Sequence, residues 1–410
     1  MEKKLFIPLF LFCLVLSEIF PLRANRVELG NELFLREFPV ELQKKRLGLF
    51  INHTSILPSG KSLVAALLEE GHDIQAIFTP EHGFYGTIEA GLRVKDSQYE
   101  NIPIYSLYGK VSRPTKEQIE RVDALIYDIQ DVGTRFYTYI TSLKHILEAA
   151  EATRIPFYVL DRPNPLGGEI IEGPLLRKHL ESFFGALPIP IRYGLTAGEL
   201  ATMMKGERWV PENINLHVVK MRNWKRNSCW KETGLRWIPP SPNMPSAETA
   251  LVFPGTGLFE ALSLNEGRGT PFPFLQFGAP WLDPEPIIKI FKEAKEFPVD
   301  LTPVRFVPSS LPGKALAPLY QNKTCFGIRV HVSQEEKFYS LRFGLALIKA
   351  IKEQHSKKFL PDRARLKQMF GNELLTSFLE KKIPFANLIA QMEGEENLFK
   401  KMRQRYLLYE

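Results

Sequence analysis

A carboxylate and an imidazole stand side by side where a short apolar run of the sequence ends. Glu81 and His82 follow the run at residues 73–78, with Pro80 and Gly83 on either side of them. Pro80 stops further strand pairing, and Gly83 permits a tight turn. A strand that delivers Glu and His into a turn at its end is how α/β enzymes present acid and base groups. Taken alone, the pair could equally cap the next segment, so the other strands must be considered.

Three other apolar runs of strand length also end in polar residues. One such cluster is explained by capping or by a turn, but four are harder to explain in that way. Ligands of parallel α/β sheets bind beyond the carboxyl ends of the strands, so the clusters predict a functional edge of the sheet. The four clusters are Asn52-His53-Thr54, Glu81-His82, Asp128 to Arg135, and Asp161-Arg162-Pro163-Asn164.

Helix-length segments with one apolar face lie between the predicted strands. Ser59 is expected to cap the first of them, and Thr196 with Glu199 forms a capping box before another. Strands that alternate with helices predict βαβ units, and therefore an α/β fold with a Rossmann-like parallel sheet. The sequence has neither a Gly-x-Gly-x-x-Gly motif nor a Gly-x-x-x-x-Gly-Lys loop, so no nucleotide cofactor is expected.

The proline-rich segment at residues 237–245 predicts an extended connection that crosses between two domains. Glu266 and Arg268, each next to a glycine, follow this crossing closely. We expect them to face Glu81 across a cleft, with a simple salt bridge within the loop as the alternative. The predicted domains are a Rossmann-like catalytic domain at residues 25–245 and a smaller α+β domain at residues 246–410 that completes the cleft.

Residues 1–24 have the pattern of a signal peptide. Two lysines precede an apolar run at residues 5–16, and a polar, proline-containing stretch follows it. The apolar run is short for a membrane-spanning helix, and a retained anchor is the alternative to cleavage. We therefore expect cleavage near Asn25, export to the periplasm or the extracellular space, and no stable membrane insertion afterwards.

Composition argues against several kinds of partner. The 410 residues carry a net charge of +7, but the lysines and arginines are scattered, so a nucleic-acid partner is not expected. The sequence contains no Cys-x-x-Cys pair and no His-Glu-x-x-His motif, so we expect no metal site. Cys229 and Cys325 could form one disulfide outside the cytoplasm, although nothing in the sequence indicates that they meet.

Several separated motifs together resemble those of the NamZ-type exo-β-N-acetylmuramidases, over nearly the whole mature chain. The resemblance implies a Rossmann-like domain plus a smaller C-terminal domain, with the active site between them. It also implies removal of N-acetylmuramic acid from the non-reducing ends of peptidoglycan fragments. The motifs are Thr79-Pro80-Glu81-His82-Gly83-Phe84, Asp128-Ile129-Gln130-Asp131-Val132-Gly133, Arg135-Phe136-Tyr137-Thr138-Tyr139, Asp161-Arg162-Pro163-Asn164-Pro165 and Glu266-Gly267-Arg268-Gly269-Thr270.

In a glycosidase of this kind, the acid and base groups are expected among the carboxyl groups of these motifs. Glu81 is the expected proton donor to the leaving oxygen, and His82 could orient it or bind the sugar. The 2-acetamido group of the substrate is one alternative for the nucleophile. The candidates for a second carboxyl group are Asp128, Asp131 and Glu266.

The expected sugar contacts come from the same motifs and from one further arginine. The lactyl carboxylate of N-acetylmuramic acid calls for a fork-shaped donor, for which Arg135, Arg192 and Arg268 are candidates. Tyr137 and Tyr139 could stack on the ring or belong to the core. Residues of a strand-end turn could bind the sugar or hold the turn. The candidates of this last type are Asn52, Asp161, Arg162 and Asn164.

Two other functions are compatible with these residues. A metal-dependent hydrolase could use His53, His82, Asp128 and Asp161, but their order matches no familiar ligand spacing. A catalytically silent protein that binds muropeptides would keep the cleft but release no product. Loss of activity on chelation would favour the first alternative, and binding without hydrolysis would favour the second.

Overall fold

The structure, a computed structural model, describes residues 26–109 and 111–410. Within these residues, one sheet of seven strands and one of three organise the chain. The predicted signal peptide, residues 1–24, lies outside the described residues. None of the helices in the described ranges combines the length and the apolar character that a membrane-spanning helix requires.

The first sheet is parallel except at one edge, where its outermost pair of strands is antiparallel. Its strands are β1 (Arg46–Ile51), β2 (Asp73–Thr79), β3 (Ser97–Tyr99), β4 (Ile102–Ser106), β5 (Ala124–Asp128), β6 (Phe157–Leu160) and β7 (Leu216–Val219). Their spatial order is β3-β4-β2-β1-β5-β6-β7. The central strands β1 and β5 are almost entirely buried, which is why they read as continuous apolar runs.

Helices follow most strands of this sheet, as the sequence predicts. Thr196 and Glu199 form the predicted capping box, in which the Thr196 hydroxyl accepts from the Glu199 amide at 3.2 Å. The expected cap at Ser59 is wrong, because Ser62 is the residue whose hydroxyl accepts the Ala65 amide, at 3.3 Å. The helices are α1 (Gly30–Arg36), α2 (Leu63–Glu69), α3 (Lys116–Ile119), α4 (Tyr139–Thr153) and α5 (Ala197–Gly206).

The C-terminal part combines a small antiparallel sheet with helices. The sheet has the order β8-β10-β9, formed by β8 (Gln276–Ala279), β9 (Val299–Phe306) and β10 (Cys325–Val332). The helices are α6 (Ala247–Thr256), α7 (Pro284–Ala294), α8 (Ser340–Gln354), α9 (Arg363–Phe370), α10 (Leu374–Leu379) and α11 (Phe385–Arg403). Helices α6 and α8 touch at Gly255 and Gly344, where a Cβ added to Gly255 would lie 2.1 Å from the Ser340 carbonyl oxygen. Cys229 and Cys325 are both free thiols.

One apolar core connects the two parts. The Phe136 ring packs edge-on against Phe253 with centroids 5.1 Å apart, and Phe253 packs against Phe274 at 4.7 Å. The end of the chain also returns to the first sheet, where the Tyr409 hydroxyl donates to the Asp161 carboxylate at 2.6 Å. A parallel, Rossmann-like sheet followed by a smaller α+β part confirms the predicted fold class.

Candidate active site

A cleft with a volume of about 860 Å³ lies where the two parts of the protein meet. This volume is in the range of ligand-binding pockets. The first part contributes the turn after β2 and the residues that precede α4, while the second part contributes residues between 260 and 274 and the start of α9. The cleft brings together five residues that the sequence analysis singled out: Glu81, His82, Tyr137, Glu266 and Arg268.

Glu81 reaches the cleft from the turn that ends β2 and is 6% exposed. Both of its carboxylate oxygens accept hydrogen bonds, one from the Gly91 amide at 2.9 Å and one from the Thr138 hydroxyl at 2.7 Å. The Tyr108 hydroxyl lies beside it, and burial, followed by the charge of Glu81, raises the pKa of Tyr108. Within the described ranges no lysine or arginine forms an ion pair with Glu81, whereas Glu266 has Arg268 at 3.0 Å.

His82 is held in an uncommon backbone conformation beside Glu81. Its φ is +70°, in the left-handed region that residues other than glycine rarely adopt. Its Nδ1 lies 2.6 Å from the Ile88 carbonyl oxygen, so in the neutral ring Nδ1 donates and Nε2 remains an acceptor. Burial lowers the pKa of His82, which keeps the ring neutral at pH 7. Such backbone strain costs about 1–3 kcal/mol and is concentrated at functional sites.

In the C-terminal part of the cleft, two carboxyl groups and two guanidinium groups form one network. Arg268 lies 3.0 Å from Glu266 and 2.8 Å from Glu260, and Arg365 lies 2.5 Å from Glu260. Burial raises the pKa of Glu266 to about 7, against the opposing effect of Arg268. Glu266 therefore exchanges its proton near neutral pH, the range in which an acid–base group is most effective.

Tyr137 and Tyr139 are neighbours in one motif but occupy different environments. Tyr137 lines the cleft, and its ring packs edge-on against Tyr139 with centroids 4.7 Å apart. Tyr139 is fully buried; its hydroxyl donates to the Pro240 carbonyl oxygen at 2.6 Å and accepts from Asn52 Nδ2 at 3.2 Å. Tyr139 and Asn52 therefore hold the crossing between the two parts and do not line the cleft.

Two of the three arginines considered for the substrate carboxylate are structural. The Arg135 guanidinium is fully buried, and burial lowers the pKa of Arg135 to about 9. Arg192 is also buried, donates to two backbone carbonyl oxygens and lies 3.5 Å from Glu172. Neither side chain reaches the cleft, so of the three only Arg268 can contact a ligand there. The carbonyl oxygens that accept from Arg135 are those of Pro174, Ile189, Met369 and Phe370.

Asp128 and Arg162 form a buried ion pair at the ends of β5 and β6. Arg162 Nε and Nη2 lie 2.5 and 2.9 Å from the two Asp128 oxygens, and the Asn31 amide donates to Asp128 at 3.1 Å. This pair lies outside the cleft lining. Asp128 is therefore not a second carboxyl group of the cleft, and Arg162 does not contact a ligand there.

Three other predicted site residues stabilise the turns after β5 and β6 and do not line the cleft. Asp131 accepts from the Gly133 amide at 2.7 Å, and Asp161 accepts from the Tyr409 hydroxyl at 2.6 Å. Asn164 donates to a backbone carbonyl oxygen at 2.9 Å and packs on Gly133, where an added Cβ would lie 2.3 Å from its oxygen. Burial raises the pKa of Asp131 and of Asp161 to about 6. Burial in the core accounts both for the hydrogen bonds that these carboxyl groups accept within the protein and for their raised pKa values.

The cleft also contains functional groups that the sequence analysis did not single out. Thr138, which orients Glu81, stood inside one of the quoted motifs and could have been found there. Tyr108, Glu260 and Arg365 lie in segments without a comparable signal. They line the cleft because the fold of the chain brings those segments to it.

The residues considered for a metal site do not converge. His53 bonds to the Pro239 carbonyl oxygen at 2.7 Å, and His82 bonds to Ile88. Asp128 and Asp161 belong to the separate networks described above. In the part of the chain that the structure describes, no group of three or more His, Cys, Asp or Glu side chains is arranged to hold a metal ion.

A Rossmann-like domain and a smaller domain that share a cleft lined by Glu81, Glu260 and Glu266 have the organisation of a carbohydrate-cleaving hydrolase. Two family profiles match the chain: exo-β-N-acetylmuramidase NamZ, N-terminal, over residues 47–248, and exo-β-N-acetylmuramidase NamZ, C-terminal, over residues 251–409. The chain belongs to the NamZ family of exo-β-N-acetylmuramidases, as its motifs predicted.

Individual relatives agree with this assignment. The chain is 38% identical over 392 residues to the peptidoglycan β-N-acetylmuramidase NamZ of Bacillus subtilis (strain 168), covering 94% of this chain and 92% of that protein. It is also similar to two solved structures of DUF1343 family proteins from Bacteroides fragilis NCTC 9343. One has a TM-score of 0.86 at 30% identity and the other 0.75 at 32%, each covering 94% of this chain and 99% of the other.

Proposed function

We propose that this protein is an exo-acting glycosidase that releases N-acetylmuramic acid from the non-reducing ends of peptidoglycan fragments during cell-wall turnover. The observation that carries the proposal is the shared cleft, which Glu81 of the first part lines together with Glu266 and Arg268 of the second. One carboxyl group without an ion pair and one beside arginines suit acid-assisted cleavage of a sugar that itself carries a carboxylate.

Glu81 is the group to which we assign proton donation. Glu81 leaves the end of β2 in the turn between Pro80 and Gly83 and lines the cleft. Among the described residues no arginine or lysine pairs with it, whereas Glu266 is held 3.0 Å from Arg268. Thr138 and the Gly91 amide fix the orientation of Glu81 before any substrate binds, which reduces the entropy cost of reaching the reactive geometry.

The neighbouring groups have supporting roles. His82 offers Nε2 as an acceptor for a sugar hydroxyl, because its Nδ1 is engaged by Ile88. Glu266 is the second carboxyl group of the cleft, and its raised pKa of about 7 lets it exchange a proton in the working range. The substrate's 2-acetamido group is an alternative to Glu266 as the nucleophile.

Arg268 and Arg365 are the groups that we expect to bind the lactyl carboxylate. Both line the cleft and share Glu260 as a partner. With Glu266 ionised, two guanidinium groups face two carboxylates and the network is neutral. When Glu266 carries a proton the network has a net charge of +1, which favours a carboxylate ligand.

Contacts between the two parts of the protein support exo action. Both Glu89 carboxylate oxygens accept from the Leu316 backbone amide, at 2.9 and 3.0 Å. The Asn243 side-chain nitrogen Nδ2 donates to the Lys314 carbonyl oxygen at 2.7 Å. Glu89 and Asn243 line the cleft, so these contacts join the two parts at its border. A cleft that is held together at its border suits a chain end better than the middle of a glycan strand.

Export is the location that fits this substrate, and the sequence of residues 1–24 motivates it. N-terminal sequencing of the protein from its native host should find a mature chain that begins near Asn25. A cytoplasmic protein that retains Met1 would contradict export without affecting the proposed reaction.

Release of the monosaccharide tests the activity directly. The purified protein, incubated with the disaccharide in which N-acetylmuramic acid caps N-acetylglucosamine, should liberate free N-acetylmuramic acid, with or without a chelator. Early depolymerisation of long glycan strands without the monosaccharide would contradict exo action. Tight binding of the disaccharide without release would identify a silent muropeptide-binding protein instead.

A further inference from the structure

A second cavity, of about 210 Å³, lies beyond the ends of β1 and β5 and apart from the cleft. β1 and β5 are neighbours in the sheet, but the chain leaves them toward opposite edges. This is the topological switch point, where open α/β sheets bind ligands. The cleft instead takes Glu81 from the end of β2. Thr54, Gln130 and Arg162 line the second cavity and belong to strand-end clusters that the cleft leaves largely unused.

Guanidinium groups dominate the polar lining of this cavity. Arg26, Arg162 and Arg236 line it, and none of its lining residues is acidic. Arg162 is only 7% exposed, and Asp128 holds it through Nε and Nη2. Within the described ranges its Nη1 has no hydrogen-bond partner in the protein, so this nitrogen is free to donate to a ligand. The cavity therefore contains a buried and oriented donor of the kind that binds carboxylates.

The charges around the cavity match a monoanion. The carboxylate of Asp128 compensates Arg162, and Glu32 compensates Arg26 at 2.7 Å. Arg236 is exposed and forms no ion pair with any described residue. Three positive charges and two negative charges leave a net charge of +1.

The size and the apolar walls of the cavity indicate an organic ligand. Leu29, Leu57 and Ile238 contribute apolar surface to the lining. At roughly 30 Å³ for each water molecule, the cavity has the volume of about seven waters, which is enough for a short organic acid but not for a disaccharide.

We infer that this cavity is a second binding site, distinct from the cleft, for a small organic carboxylate monoanion. Arg162 and Arg236 bind the carboxylate, and the apolar walls receive the rest of the molecule. The proline-rich crossing separates the two sites, since Ile238 lines this cavity and Ser241 lines the cleft. The inference does not depend on the hydrolytic activity proposed above.

Calorimetric titration of the mature protein tests this site, with N-acetylalanine and lactate as probes. The matched amides, N-acetylalaninamide and lactamide, keep the shape of each probe but remove its charge, and they should bind far more weakly. Arg236→Gln should weaken binding of the acids by about tenfold or more, because a hydrogen-bonded charge pair is worth roughly 1.5–3 kcal/mol. Hydrolysis of the disaccharide should be unchanged, since Arg236 lies outside the cleft.

Two further variants distinguish binding in this cavity from binding in the cleft or at the surface. Arg208→Gln removes another exposed charge, whose ion-pair partner is Glu212 at 2.9 Å, and should leave the affinity for the acids unchanged. Arg268→Gln alters the cleft and should also leave it unchanged. Binding that Arg268→Gln abolishes and Arg236→Gln does not would overturn the inference, because the carboxylate would then occupy the cleft. Equal affinity for the amides, or tighter binding of inorganic phosphate than of either acid, would overturn it as well.

Discussion

Replacing Glu81 with glutamine removes the proposed proton donor while preserving the shape of the side chain. General acid assistance is typically worth about 10² to 10⁴ in rate, which corresponds to roughly 3 to 5.5 kcal/mol of barrier. We expect Glu81→Gln to slow hydrolysis of the natural disaccharide by this factor. An aryl muramide should lose much less, because its phenolate leaves without protonation when bond cleavage limits the rate.

The structure also indicates that the Glu81→Gln protein folds. The Glu81 carboxylate accepts one hydrogen bond from the Gly91 amide and one from the Thr138 hydroxyl. The glutamine oxygen can still accept from Gly91, and its NH2 group can donate to the Thr138 hydroxyl, which also accepts hydrogen bonds. Even the loss of one of these bonds would cost about 1–3 kcal/mol, less than the 5–15 kcal/mol of stability that domains usually have. Glu181→Gln, at an exposed glutamate, is the matched control and should change neither activity nor melting temperature.

The comparison of two substrates distinguishes the roles that Glu81 could have. If Glu81 is a nucleophile, both substrates lose rate alike, because the covalent step is lost regardless of the leaving group. If Glu81 only shapes the turn after β2, the variant melts earlier and keeps most of its activity. Equal and severe losses on both substrates in a well-folded Glu81→Gln protein would refute the assignment, and Glu266 would then be the carboxyl group to examine as the acid.

Three further expectations follow from buried charges. Ionisation of Glu266 as pH rises through about 7 adds negative charge beside Arg268, so KM for the anionic disaccharide should rise with pH in this range. An equal rise of KM in the Glu266→Gln variant would contradict this reasoning. Arg135→Gln should lower the free energy of unfolding by about 3–5 kcal/mol, because buried carbonyl oxygens lose their hydrogen-bond donor. Denaturant unfolding measures this loss. A variant with a changed KM and full stability would place Arg135 at the ligand instead. Burial raises the pKa of Asp161 from 3.8 to about 6, so the folded state binds this proton more tightly than the unfolded state does, and stability declines as pH rises from about 4 to 6. The melting temperature of Asp161→Asn should therefore fall less over this pH range than that of the wild type. The fall that remains is expected from Asp131, whose pKa is also raised to about 6.

The candidate site was predictable to the extent that it depends on local sequence. Glu81 and His82 were identifiable because an apolar run ends abruptly at a Pro/Gly-bounded turn, and the left-handed backbone at His82 fits such a turn. Glu266 and Arg268 were identifiable as a charged pair in which each residue is next to a glycine, and the structure brings them into the same cleft as Glu81.

The prediction was wrong for polar strand-end residues whose hydrogen-bond partners lie inside the protein. Asp128 and Asp161 follow buried strands just as Glu81 does, but their partners are Arg162 and Tyr409. Buried backbone groups in long turns require hydrogen bonds, and charged side chains can supply them as well as a ligand can. Nothing local to a strand end separates these two uses.

The sequence by itself therefore determined the α/β class, the alternation of strands and helices in the first domain, and the turn that presents Glu81 and His82, because periodicity and turn chemistry act over a few residues. Only the tertiary structure decided which charges face the cleft. Arg135 is enclosed by carbonyl oxygens that include those of Met369 and Phe370, more than 200 residues away, while Arg365 reaches the cleft from a helix without any recognisable motif. Burial and ion pairing depend on neighbours that are distant in the chain, and they come together only when the two domains pack.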